Sequence, residues 1–446
     1  LGKWPLLNLI LYWKRKEAAM NISDKDLLSG YKPRNILSID LKSFYASVEC
    51  IDRGLDPFTT PLVVCDPDRG DGTIVLAVSP FLKAKGIPSR CRRYELPKNI
   101  PDIIYAVPRM KRYLEKSAEV TSIYREYVEA SDIHVYSIDE SFLDVTNYLK
   151  AKGQTDVEYA KEIIAKVKTQ TGLTVRAGIG ENIFLAKVAM DLGAKHKKDL
   201  FDKWTRADIQ QKLWPIHPLS KVWGIGERME KRLNVLGFET MGDVACSDPL
   251  YLSRKFGIKG EELYLHANGI DKAVISSQIK TKPKSLSVGQ VLFFDADINE
   301  AIGVAKEMGR VLSRRLRDNH MAMNRLDLFF GGSKDKSQSY GRSLRFERPL
   351  ETSNEIEQAI ELLTSSCPSN LLIRSLYLVG GELVDIDSMQ LDFMTDWSKH
   401  DKDKRMDETI DKIRERFGNT SVMRCSSLQE HSTEKNRLTQ IGGHRA

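Results

Sequence analysis

Two adjacent carboxylates place the tightest constraint on this chain. In HVYSIDESFLDVT (134–146), Asp139 and Glu140 interrupt what otherwise reads as two apolar strands. Burying one ionised carboxylate is costly and burying two side by side is worse. The fold must therefore bring positive charge to this turn. The flanking pattern indicates which fold. NILSID (35–40) reads as a buried strand and SFYASVECI (43–51) as a helix. HVYSI (134–138) and FLDVT (142–146) read as strands, and LTVRAGIG (173–180) as another. VEYAKEIIAKVKTQTG (157–172) is an amphipathic helix with Ala160, Ile163, Ile164 and Val167 on one stripe. The order β-α-β-β-α-β is the ferredoxin-like plan of an α+β fold. In it the first strand runs parallel to the second, and the third returns antiparallel between them. The end of the first strand and the turn between the second and third then share a sheet edge. Asp40 thereby joins Asp139 and Glu140 across a long stretch of sequence.

A chain of 446 residues is too long for one core, and two to four domains are expected. Residues 53–133 form an insertion with strand-like runs (PLVVC, TIVLAV) and a helical run near 109–129, read as a small subdomain over the carboxylate edge. VWGIGERMEKRLNVLGFETMGDVA (222–245) reads as turn–helix–turn–helix, in which Gly224 and Gly226 expose backbone N–H groups at a helix N-terminus, a ready anion site. IKTKPKSLSVGQ (279–290) is a basic linker, and a second α/β domain follows to about 385. The formal charge is +7, and residues 280–350 carry fourteen Lys/Arg against eight Asp/Glu, so most of the excess lies there. GRVLSRRLRDN (309–319) sets Arg310, Arg314 and Arg317 at helical spacing, either a phosphate-binding face or an ordinary solvated one. Beyond 386 the chain reads as a polar tail with one helix near 403–417. The six cysteines make no CxxC pair and read as reduced thiols of a cytoplasmic protein. LGKWPLLNLILYW is too short and too interrupted to span a bilayer and lacks a signal cleavage site. Residues 1–19 read as a fragment edge or a start set upstream of Met20, and whether they belong to the native protein stays open.

Three converging carboxylates need a counter-charge. Hard oxygen ligands suit Mg²⁺, and two such ions form the clamp used for in-line phosphoryl transfer. The competing reading is that Asp139 and Glu140 are hairpin-turn residues.

SIDLKSFYASVE (38–49) and YSIDESFLDV (136–145) resemble the two signature motifs of the Y-family translesion DNA polymerases, and GIGENIFLAKVAMD (178–191) resembles a third. VWGIGERMEKRL (222–233) is similar to the helix-hairpin-helix of their thumb, and KPKSLSVGQ (282–290) to the start of their little finger. The likeness covers about 35–385 in collinear order and looks closer to the bacterial UmuC type than to the DinB type. It implies an N-terminal extension (1–34), a palm (35–200) with fingers inserted at about 53–133, a thumb (201–275), a little finger (276–385) and a tail (386–446). It implies a DNA-directed DNA polymerase that copies damaged template with low fidelity from dNTPs on primer-template DNA, using two Mg²⁺ ions. Asp40 and Asp139 would hold the metals with the Leu41 carbonyl, and Glu140 would complete the site and assist the primer hydroxyl. Tyr45 would stand under the incoming sugar and collide with a 2′-OH; otherwise Phe44 and Tyr45 are core aromatics. Lys83 and Lys187 would meet the triphosphate, while Glu181 replaces a Lys of some relatives. Gly224, Gly226, Lys284, Arg310, Arg314 and Arg317 would meet DNA. MQLDFM (389–394) resembles a sliding-clamp peptide, with Gln390, Leu391 and Phe393 filling an apolar pocket, or it is a strand edge. Accessory subunits or a recombinase filament are further partners the likeness suggests, and no membrane is expected. Two rivals remain. A nucleotide cyclase also uses such a palm but needs no helix-hairpin-helix. A catalytically inactive DNA-binding relative would not need Asp40, Asp139, Glu140 and Tyr45 intact.

Overall fold

The computed structural model describes residues 29–277, 282–334, 337–388 and 396–446. These divide into two compact units: 29–107 with 112–277, and 108–111 with the remainder.

The first unit is built on a five-stranded sheet of order β5-β6-β1-β7-β8: β1 (Ile36–Leu41), β5 (Ile133–Val135), β6 (Glu140–Asp144), β7 (Val175–Gly180) and β8 (Phe201–Trp204). β6 is antiparallel to both β1 and β5, so β1 and β5 run parallel with β6 between them, as the sequence pattern predicts. β7 flanks β1 on the other side, antiparallel. β8 is an addition to the expected plan. It pairs parallel with β7 from Ala177↔Phe201 to Gly180↔Trp204, so the sheet runs past residue 200. The expected strand at 134–138 is shorter than it reads, because the Tyr136 and Ser137 N–H groups both donate to the Glu140 carbonyl and close the turn.

Helix α1 (Phe44–Ile51) follows β1 directly. In the insertion, β2 (Leu62–Val64), β3 (Ala77–Val78) and β4 (Ile104–Ala106) form a small sheet of order β3-β2-β4, followed by α2 (Pro80–Ala84) after β3 and α3 (Met110–Tyr124) after β4. The amphipathic segment is α4 (Asp156–Thr171). Thr155 and Glu158 form its capping box, and Gly172 at φ 73° ends it in the left-handed conformation. After β7 comes the short α5 (Ile183–Val188). Gly178 and Gly180 explain how closely α5 lies on β7: a β-carbon on either would overlap the backbone of Ala186. The rest of the unit is helical, around a core that includes Leu213, Val222, Leu233, Leu252 and Leu263. In it α6 (Glu227–Val235) begins at Gly226.

The second unit is a four-stranded antiparallel sheet of order β11-β10-β12-β9: β9 (Ser285–Ala296), β10 (Met321–Gly332), β11 (Tyr340–Leu350) and β12 (Ile373–Asp385). Leu326, Leu328, Phe330, Leu376 and Leu378 bury one sheet face against Met308, Leu312, Ile356 and Ile360 of α7 (Ile298–Asp318) and α8 (Ser353–Thr364). The polar tail is more structured than it reads. Its helix α9 spans Trp397–Phe417, and residues 424–446 add short helical and strand turns. Among the described residues, no helix is long and apolar enough to cross a membrane.

Candidate active site

The register of the first sheet builds the site. Asp40, the penultimate residue of β1, stands opposite Glu140 of β6 on one side and Arg176 of β7 on the other. The Leu41 N–H donates to the Asp139 carbonyl at 2.9 Å, which fixes the turn beside the strand end. Asp40, Leu41 and Asp139 line a cavity of about 630 Å³ together with Phe44, Tyr45 and Lys83. The Asp139 carboxylate accepts from Ser137 Oγ at 2.7 Å. Burial pushes the Asp40 carboxyl up to about 6, and Asp139 and Glu140 add to this against Lys195 and Lys187.

Glu140 departs from expectation. It is buried and does not line the cavity; its carboxylate oxygens lie 2.7 and 2.8 Å from Lys187 Nζ, and Ser38 Oγ donates to it at 3.3 Å. Among the described residues, no three His, Cys, Asp or Glu side chains stand together in a metal-holding set. Of the expected carboxylate trio, Asp40 and Asp139 line the cavity, and Glu140 stands apart, paired with an ammonium. Lys187 stands apart from the cavity for the same reason. It is 6% exposed, also meets Asp191 at 3.1 Å, and does not line the cavity. Burial pushes Lys187 down, but its two carboxylates hold it above the ordinary lysine value. Glu140 has one ammonium, and burial prevails there, raising its carboxyl.

Tyr45 and Phe44 divide as helix geometry requires. Phe44 is buried in the core at the foot of α1, whereas Tyr45 is half-buried beside the cavity. The Tyr45 ring stacks on Tyr113 at 4.4 Å and 16°. Tyr113 is fully buried, and its hydroxyl donates to Glu49 Oε1 at 2.8 Å, while Arg53 pairs with the same carboxylate. Lys83 on α2 reaches the cavity, its ammonium lowered by burial and by Arg176 and Lys195, against the pull of Asp40 and Asp139. Sequence reasoning missed four cations that also line it: Lys42, Arg90, Arg176 and Lys195. Arg176 had a signal, a charged residue inside an otherwise apolar strand; Lys42 and Arg90 lie in turns, and Lys195 in a short helical turn, Ala194–His196. Ser43 Oγ, buried without a hydrogen-bond partner, and the buried, unpartnered Arg176 Nε also belong to residues of this lining. Two carboxylates with one raised by burial, a strand-end carbonyl and an orphaned hydroxyl fit a divalent cation with a polyphosphate. Glu181 does not line the cavity; it accepts from the Arg206 N–H at 3.3 Å.

Of the other candidates, Gly224 has φ 87° and Gly226 caps α6, with no side-chain cap on that helix start. Lys284 is exposed beside β9. The three arginines of α7 do not form a free basic face. Arg310 meets Glu357 at 3.0 Å and Glu434 at 2.8 Å; Arg317 meets Asp407 at 3.0 Å and Asp411 at 2.7 Å; Arg314 bonds Asn419 at 3.2 Å. Their charge is met largely by the C-terminal segment, which the helical spacing alone does not reveal. Gln390, Leu391 and Phe393 lie outside the described residues.

Residues 39–191 match the impB/mucB/samB family and residues 206–238 the IMS family HHH motif. The chain is 34% identical over 422 residues to a putative UV-damage repair protein, UvrX, of Bacillus subtilis (strain 168), covering 94% of this chain and 99% of that protein. It is 30% identical over 419 residues to a DNA polymerase IV 2 of the same organism, covering 93% and 99%. A solved Y-family DNA polymerase chimera superimposes with a TM-score of 0.62 at 19% identity, over 79% of this chain and 99% of that one.

Proposed function

This chain belongs to the impB/mucB/samB family of Y-family DNA-directed DNA polymerases, and we propose that the cavity between β1, the 136–139 turn and α2 is its nucleotidyl-transfer site, used to extend primers past damaged template bases. The observation that carries this reading is the placing of Asp40, Leu41, Asp139, Tyr45 and Lys83 around one cavity. Asp40 and Asp139 would hold Mg²⁺ with the Leu41 carbonyl, and such ions, two per site on this reading, supply charge stabilisation for in-line transfer and ease ionisation of the primer 3′-hydroxyl. The chain's own groups do the rest. Lys83 and Arg90 bind the triphosphate by charge, and Lys195, although 2.7 Å from Asp191, adds to the positive field. Tyr45, backed by Tyr113, occupies the space a 2′-OH would need, so dNTPs are accepted and rNTPs are not. Lys187 acts through Glu140: it offsets that buried charge and keeps the β6 start in place beside Asp40.

DNA is held by contacts that position without reading sequence. The free N–H groups at the Gly226 cap suit a backbone phosphate. In the second unit the α7 arginines are paired, so phosphate contact falls to exposed cations at the sheet, Lys284, Lys334 and Arg342. Low fidelity follows from a fingers insertion whose small sheet has strands of two or three residues and offers little area to press on a nascent base pair.

The test is primer extension on an undamaged template and on one with an abasic site, with Mg²⁺ and dNTPs. Wild type should extend, and Asp139→Ala should not, although its unfolding transition is retained. Extension surviving in Asp139→Ala would exclude this cavity as the site. A wild type that stays inactive even with a sliding clamp and a recombinase filament added would favour a non-catalytic DNA-binding role.

A further inference from the structure

A second cavity of the first unit, about 870 Å³, adjoins the proposed transfer site, and Lys42, Arg176 and Lys195 line both. Its remaining wall includes Lys161 and Lys168 of α4 and Lys198 before β8. Asp56 and Asp199 are the acids of the lining, and Asp56 already caps the Phe58 N–H at 2.9 Å.

Lys195 pairs with Asp191 and Lys197 with Asp202, each at 2.7 Å, but Lys42, Lys161 and Lys168 rest on neutral groups. The Lys42 ammonium lies 4.7 Å over the Phe58 ring, Lys161 lies 5.1 Å over Phe201, and Lys168 donates to the Gly172 carbonyl at 2.8 Å. Arg176 Nε is buried without a partner. Burial lowers the Lys42 ammonium, and the positive Arg176 and Lys83 lower it further. Cations this close repel one another, and a multiply charged anion relieves the repulsion. The lining is open, with Lys161, Lys168, Lys195 and Lys198 exposed, so a small anion seated there can pass on to solvent.

The source of such an anion follows from the reaction proposed above, on which this inference rests. The primer 3′-oxygen forms a bond to the α-phosphorus of the dNTP, and the bond from that phosphorus to the α–β bridging oxygen breaks. Pyrophosphate leaves with the bonding electron pair, and the hydroxyl proton passes to water. We propose that the second cavity is a receiving site for this inorganic pyrophosphate, handed across by the three cations common to both cavities. Lys161 and Lys168 are then product-binding residues for a step after bond formation.

The experiment uses the full chain and sodium pyrophosphate. Calorimetric titration without DNA or nucleotide should show binding to wild type. The affinity should fall at least tenfold in the Lys161→Ala/Lys168→Ala double variant and hold in Lys150→Ala, an exposed lysine outside the lining. In primer extension, the pyrophosphate concentration that halves the rate should rise at least fivefold in the double variant. Equal pyrophosphate affinity in wild type and double variant, in a chain that does extend primers, overturns the receiving site alone. Displacement of pyrophosphate by a single-stranded oligonucleotide at lower concentration, lost in the same double variant, overturns it in favour of a nucleic-acid groove. A chain that extends no primer under any condition overturns the polymerase reading and this inference with it.

Discussion

Replacing Lys187 by Met removes the ammonium and keeps most of the side-chain volume. Glu140 is then left buried, 8% exposed, with Ser38 Oγ at 3.3 Å as its remaining bond of those described above. Asp191 suffers less, because Lys195 lies 2.7 Å from it and it is more exposed. Breaking a buried pair from one side costs about 3–5 kcal/mol, chiefly through the stranded charge. Removing that charge as well, in Lys187→Met/Glu140→Gln, should recover about 2–3 kcal/mol of the loss, the upper range for residues in contact. The assay is denaturant unfolding followed by a probe confined to the first unit, such as its tryptophans at 204, 214 and 223, because two units need not unfold together. If Lys187→Met costs under about 1 kcal/mol and adds simply to Glu140→Gln, the ion pair does not offset the buried carboxylate. If the variant keeps its stability and instead raises KM for dNTP, Lys187 is a phosphate ligand after all.

Tyr113→Leu should loosen the support of Tyr45 and admit rNTPs partially, with Tyr45→Ala admitting them more; equal discrimination in wild type and Tyr113→Leu would separate the stack from sugar selection. The slope of log K against log salt for DNA should fall by about 0.9 in Lys284→Ala and stay constant in Arg314→Ala; the reverse result would restore the α7 face as a DNA contact. Burial pushes the Glu434 carboxyl up, but Ser427, Arg310 and Arg414 together hold it below the usual carboxylate range. Its stabilisation of the C-terminal segment is therefore full above the ordinary glutamate pKa and is lost as pH falls through the lower folded value. Hydrogen exchange in α9 should accelerate over that acid window in wild type, and a Glu434→Gln protein should show less of this pH dependence.

The elements that could be read from the sequence are those whose periodicity is strong. The stripe of Ala160, Ile163 and Val167 marked α4, and the strand–turn–strand around Asp139 fixed the register that brings Asp40 beside Glu140. β8 escaped because FDKW is four residues long and carries no alternation beyond Asp202 and Trp204 facing inward. Spacing put Arg310, Arg314 and Arg317 on one helix face, but what covers a face is a tertiary fact. Asp407, Asp411 and Glu434 lie some ninety to a hundred and twenty positions downstream. Lys187 is ambiguous for a related reason: a lysine reads the same whether it meets a phosphate or a buried carboxylate. The positive charge demanded by the acidic pair was foreseeable, and its identity was not.

The close seating of α5 on β7 has a mechanical side. Where two backbones touch through missing β-carbons, the spacing between them is a shim of no thickness, and any side chain added there lifts the helix as a whole. Lys187 rides on that helix, so Gly178 and Gly180 set its height above Glu140 through the backbone of Ala186. One methyl group at either glycine would detune the carboxylate edge from beneath, through alignment alone, with every charged group of the site still in the chain.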